Sequence, residues 1–94
     1  MSTWVVALKC FEFNFLHYPT EVCLLNTTDN ISYSYHIRWN NRYFKSHPYG
    51  YLESEIKSKL RQVLKNPNDI LFVCDQNHLY MAKLWFPNIN IRIL

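Results

Sequence analysis

Glycine is nearly missing from this chain: Gly50 is the only one in 94 residues. One glycine cannot build the tight, backbone-exposed loops of the P-loop or dinucleotide fingerprints, so phosphate cradles of those types are excluded. Long apolar runs are missing too, none approaching the roughly 20 residues that span a bilayer. The N-terminus lacks a basic segment followed by a long apolar one, so neither a signal peptide nor a membrane anchor is expected. Cys10, Cys23 and Cys74 make an odd count, with no CxxC or HxxxH pair of the kind zinc sites use. They read as small hydrophobes buried in strands, in a reducing intracellular compartment, cytoplasmic or nuclear. No metal and no cofactor is expected. Ten Lys and Arg against seven Asp and Glu give a net charge of +3. This permits a nucleic-acid or acidic-protein partner and argues strongly for neither.

What is present is surface to bury. Hydrophobic residues make up 49% and aromatic residues 17% of the chain, which excludes disorder, and the length allows one small domain. Trp4–Phe13 (WVVALKCFEF) is apolar without alternation, the mark of a central strand covered on both faces. Asn14–Thr20 reads as a connection, and Glu21–Asn26 as a second strand. Thr27–Asn30 (TTDN) reads as a tight turn, because Asp and Asn tolerate left-handed backbone. Ile31–Trp39 alternates strictly: Ile31, Tyr33, Tyr35, Ile37 and Trp39 share one face, and Ser32, Ser34, His36 and Arg38 the other.

A basic, aromatic loop, Asn40–Gly50, leads to a helix over about Tyr51–Leu64. Its stripe is Leu52, Ile56, Leu60, Val63 and Leu64. The pairs Glu53–Lys57 and Glu55–Lys59 have the favourable i,i+4 order, worth about 0.3 kcal/mol each. Ile70–Cys74 (ILFVC) is a wholly apolar strand, again of the kind covered on both faces. Asp75 or Asn77 caps a second helix over about His78–Phe86, Pro87 stops it, and Ile89–Leu94 is the last strand. The order β-β-β-α-β-α-β predicts an α/β domain: an antiparallel meander, two right-handed crossovers and a five-stranded mixed sheet. Strand one lies centrally and strands three and five at the edges.

CFEFNF, EVCLLN, HPYGY, the helix pattern LxxxLxxVL, DILFVCDQNHLYMAKLWFP and INIRIL follow one another in that order. With it the chain resembles the front portion of a ribonuclease-H-like domain of the proofreading-exonuclease (DEDD) type. More narrowly, it is similar to divergent exonuclease-like segments of insect mobile elements and insect DNA viruses. The resemblance implies a ribonuclease-H-like fold over residues 1–94, shortened. It also implies two metal ions held by four carboxylates in active members. The Asp-x-Glu of strand one is here Cys10-Phe11-Glu12, which leaves only Glu12. At the third position the chain offers Leu60 and Val63, and the last carboxylate belongs to a helix that would follow Leu94. The resemblance therefore implies a catalytically dead version, not an enzyme.

Each candidate site also has a plain structural reading. Glu12 is a ligand remnant or an exposed carboxylate at a strand end. Asp69 and Asp75 are explained by helix boundaries and caps. A Cys74–His78 nucleophile lacks a visible third group to orient it. Ser34, His36 and Arg38 suit phosphate or a protein partner, or form a solvated sheet face. In the loop, Arg42, Tyr43, Phe44, Lys45, His47 and Tyr49 interleave cations with rings. That suits single-stranded nucleic acid, a protein interface, or a loop folded over its own sheet edge. Phosphate contact would fall to Arg38, Arg42 and Lys45, and base stacking to Tyr43 or Phe44. A protein partner would use Tyr49 with Ile91 and Ile93 of the last strand, whose low charge also invites a homodimer through the sheet edge. The expected function is a binding module acting through protein–protein contact, a host-interaction factor of viral or mobile-element descent. The alternative is a nucleic-acid-binding protein that does not cleave.

Overall fold

The computed structural model describes residues 2–39 and 49–94. Its elements are β1 (Thr3–Phe13), β2 (Leu16–Asn26), β3 (Ile31–His36), α1 (Glu53–Val63), β4 (Ile70–Val73), α2 (Gln76–Trp85) and β5 (Asn90–Ile93). The strands form one mixed sheet in the order β3-β2-β1-β4-β5. β1 is antiparallel to β2 and parallel to β4, β2 is antiparallel to β3, and β4 is parallel to β5. The α/β class, the central β1 and the outer β3 and β5 are as the sequence led one to expect.

Register decides which residues share a face. Trp4, Val6 and Leu8 stand beside Asn26, Leu24 and Val22 of β2, and Trp4 stands beside Leu71 of β4. These side chains are buried, together with Ile56 and Leu60 of α1 and Ala82 and Trp85 of α2. Both helices thus cover the same face. The reason is topological: β3 to β4 and β4 to β5 step across the sheet in the same direction, and crossovers of one hand then deliver their helices to one side. The expectation that β1 and β4 are covered on both faces is therefore corrected. Among the described residues nothing lies over the other face, where Val5, Leu25, Ile70 and Phe72 are half-buried and Ala7 is exposed. The shortest dimension, 20 Å, fits a sheet and one helical layer at about 10 Å per layer.

The expected connection Asn14–Thr20 is mostly strand. β2 begins at Leu16, and Asn14 and Phe15 alone make the turn, with φ of 51° and 65°. Positive φ at both central residues is what a type I′ two-residue hairpin needs, and Asn-Gly is its usual signal. Phenylalanine in that place conceals it. Pro19, which has no N–H to donate, falls at a register shift where Thr20 is the extra residue between Lys9–Glu21 and Cys10–Pro19. β3 ends at His36, short of the expected Trp39, because the chain changes partner. Ile37 N–H donates to Thr20 O, then Arg38 N–H to Tyr51 O at 2.8 Å, drawing the chain to the segment before α1. Cys10 and Cys23 are half-buried and Cys74 is exposed, so the reading of all three as buried hydrophobes is also corrected.

Long-range polar ties fix the layers. Asp69 is buried and accepts from Ser2 N–H at 2.7 Å and Trp4 Nε1–H at 3.0 Å, joining the start of β4 to the start of β1. Its expected role as a helix boundary is replaced by this one. Arg61 of α1 donates through Nε to Trp85 O at 2.7 Å, meeting a carbonyl at the end of α2 where a cation is favoured. Lys57 pairs with Glu53 at 2.8 Å as expected, whereas Lys59 lies over the Tyr51 ring, 5.1 Å from its centroid.

Two stability changes follow. Asp69→Ala leaves the buried Trp4 indole N–H without its acceptor and should cost about 1–3 kcal/mol in urea unfolding; an unchanged midpoint would show that the tie contributes nothing. Phe15 is 93% exposed, so Phe15→Gly relieves left-handed backbone strain without losing packing. It should raise stability by up to about 1 kcal/mol. A lowered midpoint would mean that the Phe15 ring makes a contact that matters.

Candidate functional site

Two regions stand out. The first is the uncovered face. In the row through its middle, β-pairing sets Ser32 beside Leu25, Leu25 beside Val5, Val5 beside Phe72, and Phe72 beside Arg92. Ile70 extends this apolar band on β4, with Thr3 and Asn90 as its neighbours. Alternation puts Lys9, Glu21 and His36 on the same side, toward the far end of the sheet. Glu21 Oε1 and His36 Nδ1 are 3.0 Å apart. The open face is thus apolar at its centre, serine-lined along β3, and flanked by Lys9 and Arg92, both exposed.

The second region lies where β4 passes into α2, at the carboxyl ends of the parallel strands β1 and β4, the end at which open α/β sheets bind ligands. Asp75 caps α2, its Oδ1 accepting from His78 N–H at 2.9 Å. The cap folds the first turn so that the His78 ring returns over the strand end. Its Nε2 is 2.9 Å from Leu8 O of β1, and its Nδ1 is 2.7 Å from Asp75 Oδ1 and 3.2 Å from Cys74 Sγ. The ligand atoms of Cys74, Asp75 and His78 all lie within 4.8 Å of one another. A recess of about 360 Å³ adjoins them, lined by Leu8, Cys10, Asp75, Asn77, His78, Tyr80 and Met81. In it Cys10 Sγ is 3.6 Å from Met81 Sδ.

The electrostatics follow from these contacts. The His78 amide and then its ring, both hydrogen-bonded to the carboxylate, hold Asp75 below its ordinary value. Burial pulls His78 down, but the Asp75 carboxylate and the Leu8 carbonyl outweigh it and leave the imidazole raised. Burial, helped by the negative charge of Asp75, pushes the Cys10 thiol up.

The candidate residues read from the sequence scatter. Arg42, Tyr43, Phe44 and Lys45 lie outside the described residues. Arg38 is exposed just past β3, and Tyr49 is 89% exposed. Ile91 and Ile93 pair with Leu71 and Val73, so they belong to the helix-covered side; Ile91 packs on the core and Ile93 is exposed at its rim. Glu12 is exposed and takes no part in the Cys74–Asp75–His78 group. The sequence sets Cys74 beside His78 without an orienting group and presents Asp75 as a cap; the structure brings the three together as one group. The mixed spacing Cys-Asp-x-x-His is the signal that finds it, and Leu8 O is the orienting group that the sequence hid. Comparison with protein-family models, curated proteins and solved structures gives no match for this chain.

Cys74 is exposed, whereas Cys10 and Cys23 are half-buried and Cys10 is also raised. A limiting amount of a maleimide at neutral pH should therefore label Cys74 first and Cys10 most slowly, read by peptide mass spectrometry. Equal labelling of the three would contradict the burial described above.

Proposed function

We propose that the chain is a non-catalytic protein-binding module whose uncovered sheet face receives an acidic amphipathic helix of a partner protein. One observation carries this reading: Val5, Leu25, Ile70 and Phe72 stand together on a face that no described element covers, with Arg92 beside Phe72 and Lys9 farther along β1. A helix laid there repeats what α1 and α2 do on the opposite side, and each apolar Å² it removes from water contributes about 25 cal/mol. The flanking charge chooses its sign. Arg92, exposed next to Phe72, selects Asp and Glu along the edge of the incoming helix that lies over it.

The strand order supports a ribonuclease-H-like descent. β3-β2-β1-β4-β5 with only β2 reversed is the arrangement expected of that fold, in which a further helix carries the last carboxylate. A partner's helix would supply such a layer here. Cleavage finds no support in the chain: Cys10 stands where the resemblance implies the first aspartate, Leu60 is buried, and Val63 packs against the core.

The test is fluorescence anisotropy with two labelled designed helices of identical apolar stripe, one edged with Glu and one with Lys. The acidic helix should bind saturably and the basic one should not. Arg92→Glu, at an exposed position, should weaken the acidic helix by roughly 10-fold, and Phe72→Glu should do at least as much through loss of a central anchor. Indifference to peptide charge, or wild-type affinity in both variants, would overturn the reading. Labelled single-stranded RNA and DNA at two salt concentrations form the other arm. Tight binding that weakens with salt and falls in Arg42→Glu or Lys45→Glu would assign the chain to nucleic acid instead.

A further inference from the structure

The contacts of His78 cannot all be satisfied by a neutral ring. Leu8 O only accepts, so the hydrogen bond at 2.9 Å requires the proton on Nε2. Nδ1 of that tautomer is a bare lone pair, yet it lies 2.7 Å from Asp75 Oδ1, which is also an acceptor. A thiol proton from Cys74, 3.2 Å away, can reach Nδ1 but leaves the carboxylate contact unanswered. Two lone pairs this close need a positive centre between them: either a second proton on the ring or a cation. The third donor decides what kind of cation fits. Sulfur, imidazole nitrogen and carboxylate oxygen together are a set for a borderline-soft divalent ion, not for magnesium or calcium, which take oxygen.

We propose that Cys74 Sγ, Asp75 carboxylate and His78 Nδ1 bind a zinc ion at the carboxyl end of β4, with the fourth position open to the recess beside Cys10 and Met81. The reading is independent of the partner-binding function and uses other residues. A thiolate and a carboxylate neutralise the two charges of the ion, which the first turn of α2 would otherwise repel. The backbone carbonyl of Leu8 holds the far ring nitrogen, as the outer partner of a metal-bound histidine does, and so fixes which nitrogen faces the metal. Tetrahedral bonds of about 2.0 Å to N and O and about 2.3 Å to S separate the donors by roughly 3.3–3.5 Å. The observed 2.7 Å and 3.2 Å therefore open by about 0.6 and 0.3 Å, and the Cys74–Asp75 pair, within 4.8 Å, adjusts to the same range through rotation of these two exposed side chains. Three protein ligands with an open fourth position is the pattern of zinc sites that bind a further molecule. Binding displaces the thiol proton and the second ring proton, at Nδ1, to solvent and involves no change of oxidation state.

The full chain is dialysed against zinc chloride, freed of excess and analysed for metal, and the cobalt form is examined by absorption. We expect one zinc per chain. The cobalt form should show the strong d–d bands of tetrahedral geometry and a thiolate charge-transfer band. Cys74→Ser, at an exposed position, should keep the wild-type circular dichroism, lower affinity by at least roughly 10-fold and abolish the charge-transfer band. His78→Ala should also lose the metal, while Cys23→Ser should retain it. No zinc retained by the wild type, unchanged affinity in Cys74→Ser, or a weak octahedral cobalt spectrum would each overturn the site.

Discussion

Everything distinctive about this molecule depends on one topological constraint. Its two crossovers, β3 to β4 and β4 to β5, move the same way across the sheet, so both helices pack on one face. Burial follows. The face carrying Trp4, Val6, Leu8, Val22, Leu24, Leu71 and Val73 is closed by α1 and α2, and the opposite face keeps Val5, Leu25, Ile70 and Phe72 only half-buried. A sheet of this size can leave one face to solvent when that face is polar, as antiparallel sheets often do. Here the β3 side obeys with Ser32, Ser34 and His36, while the central strands do not. The mismatch between an apolar centre and the lack of cover among the described residues singles this face out.

The sequence carried much of the architecture, since element order, strand neighbours and the cap of α2 followed from periodicity and punctuation. Asp75 caps α2 and the Asn30 turn adopts positive φ, both readable from residue type alone. Three features were missed for identifiable reasons. Asn14-Phe15 forms a turn whose usual chemistry is Asn-Gly, so local propensity pointed to a loop. The end of β3 is set by hydrogen bonds from Arg38 to Tyr51 and back to His36, contacts that no window of sequence contains. The third is the open face. Apolar runs in β1 and β4 suggest cover on both sides, and the run cannot say whether the second cover is part of the same chain. The direction of the crossovers could have said so, because β3 and β5 were already assigned to opposite edges.

The zinc candidate shows a different limit. Cys74, Asp75 and His78 are near neighbours in sequence, yet proximity alone does not point the ring inward. Leu8, seventy positions from His78, does that with its backbone carbonyl, and any residue at position 8 presents the same carbonyl. Side-chain identity therefore holds no trace of the partner that sets the tautomer. Only the parallel pairing of β1 with β4 brings the carbonyl to the ring.

That pairing also couples the two regions. Asp69 ties the start of β4 to Ser2 and Trp4, and His78 ties its far end to Leu8 of β1. Between these ties the β1–β4 ladder covers only Thr3–Val5 and Ile70–Phe72, and the apolar outward side chains of that short ladder, Val5, Ile70 and Phe72, are the centre of the open face. The two ties therefore hold β4 to β1 on either side of the stretch that carries Val5, Ile70 and Phe72, so the open face is built on backbone fixed at both ends.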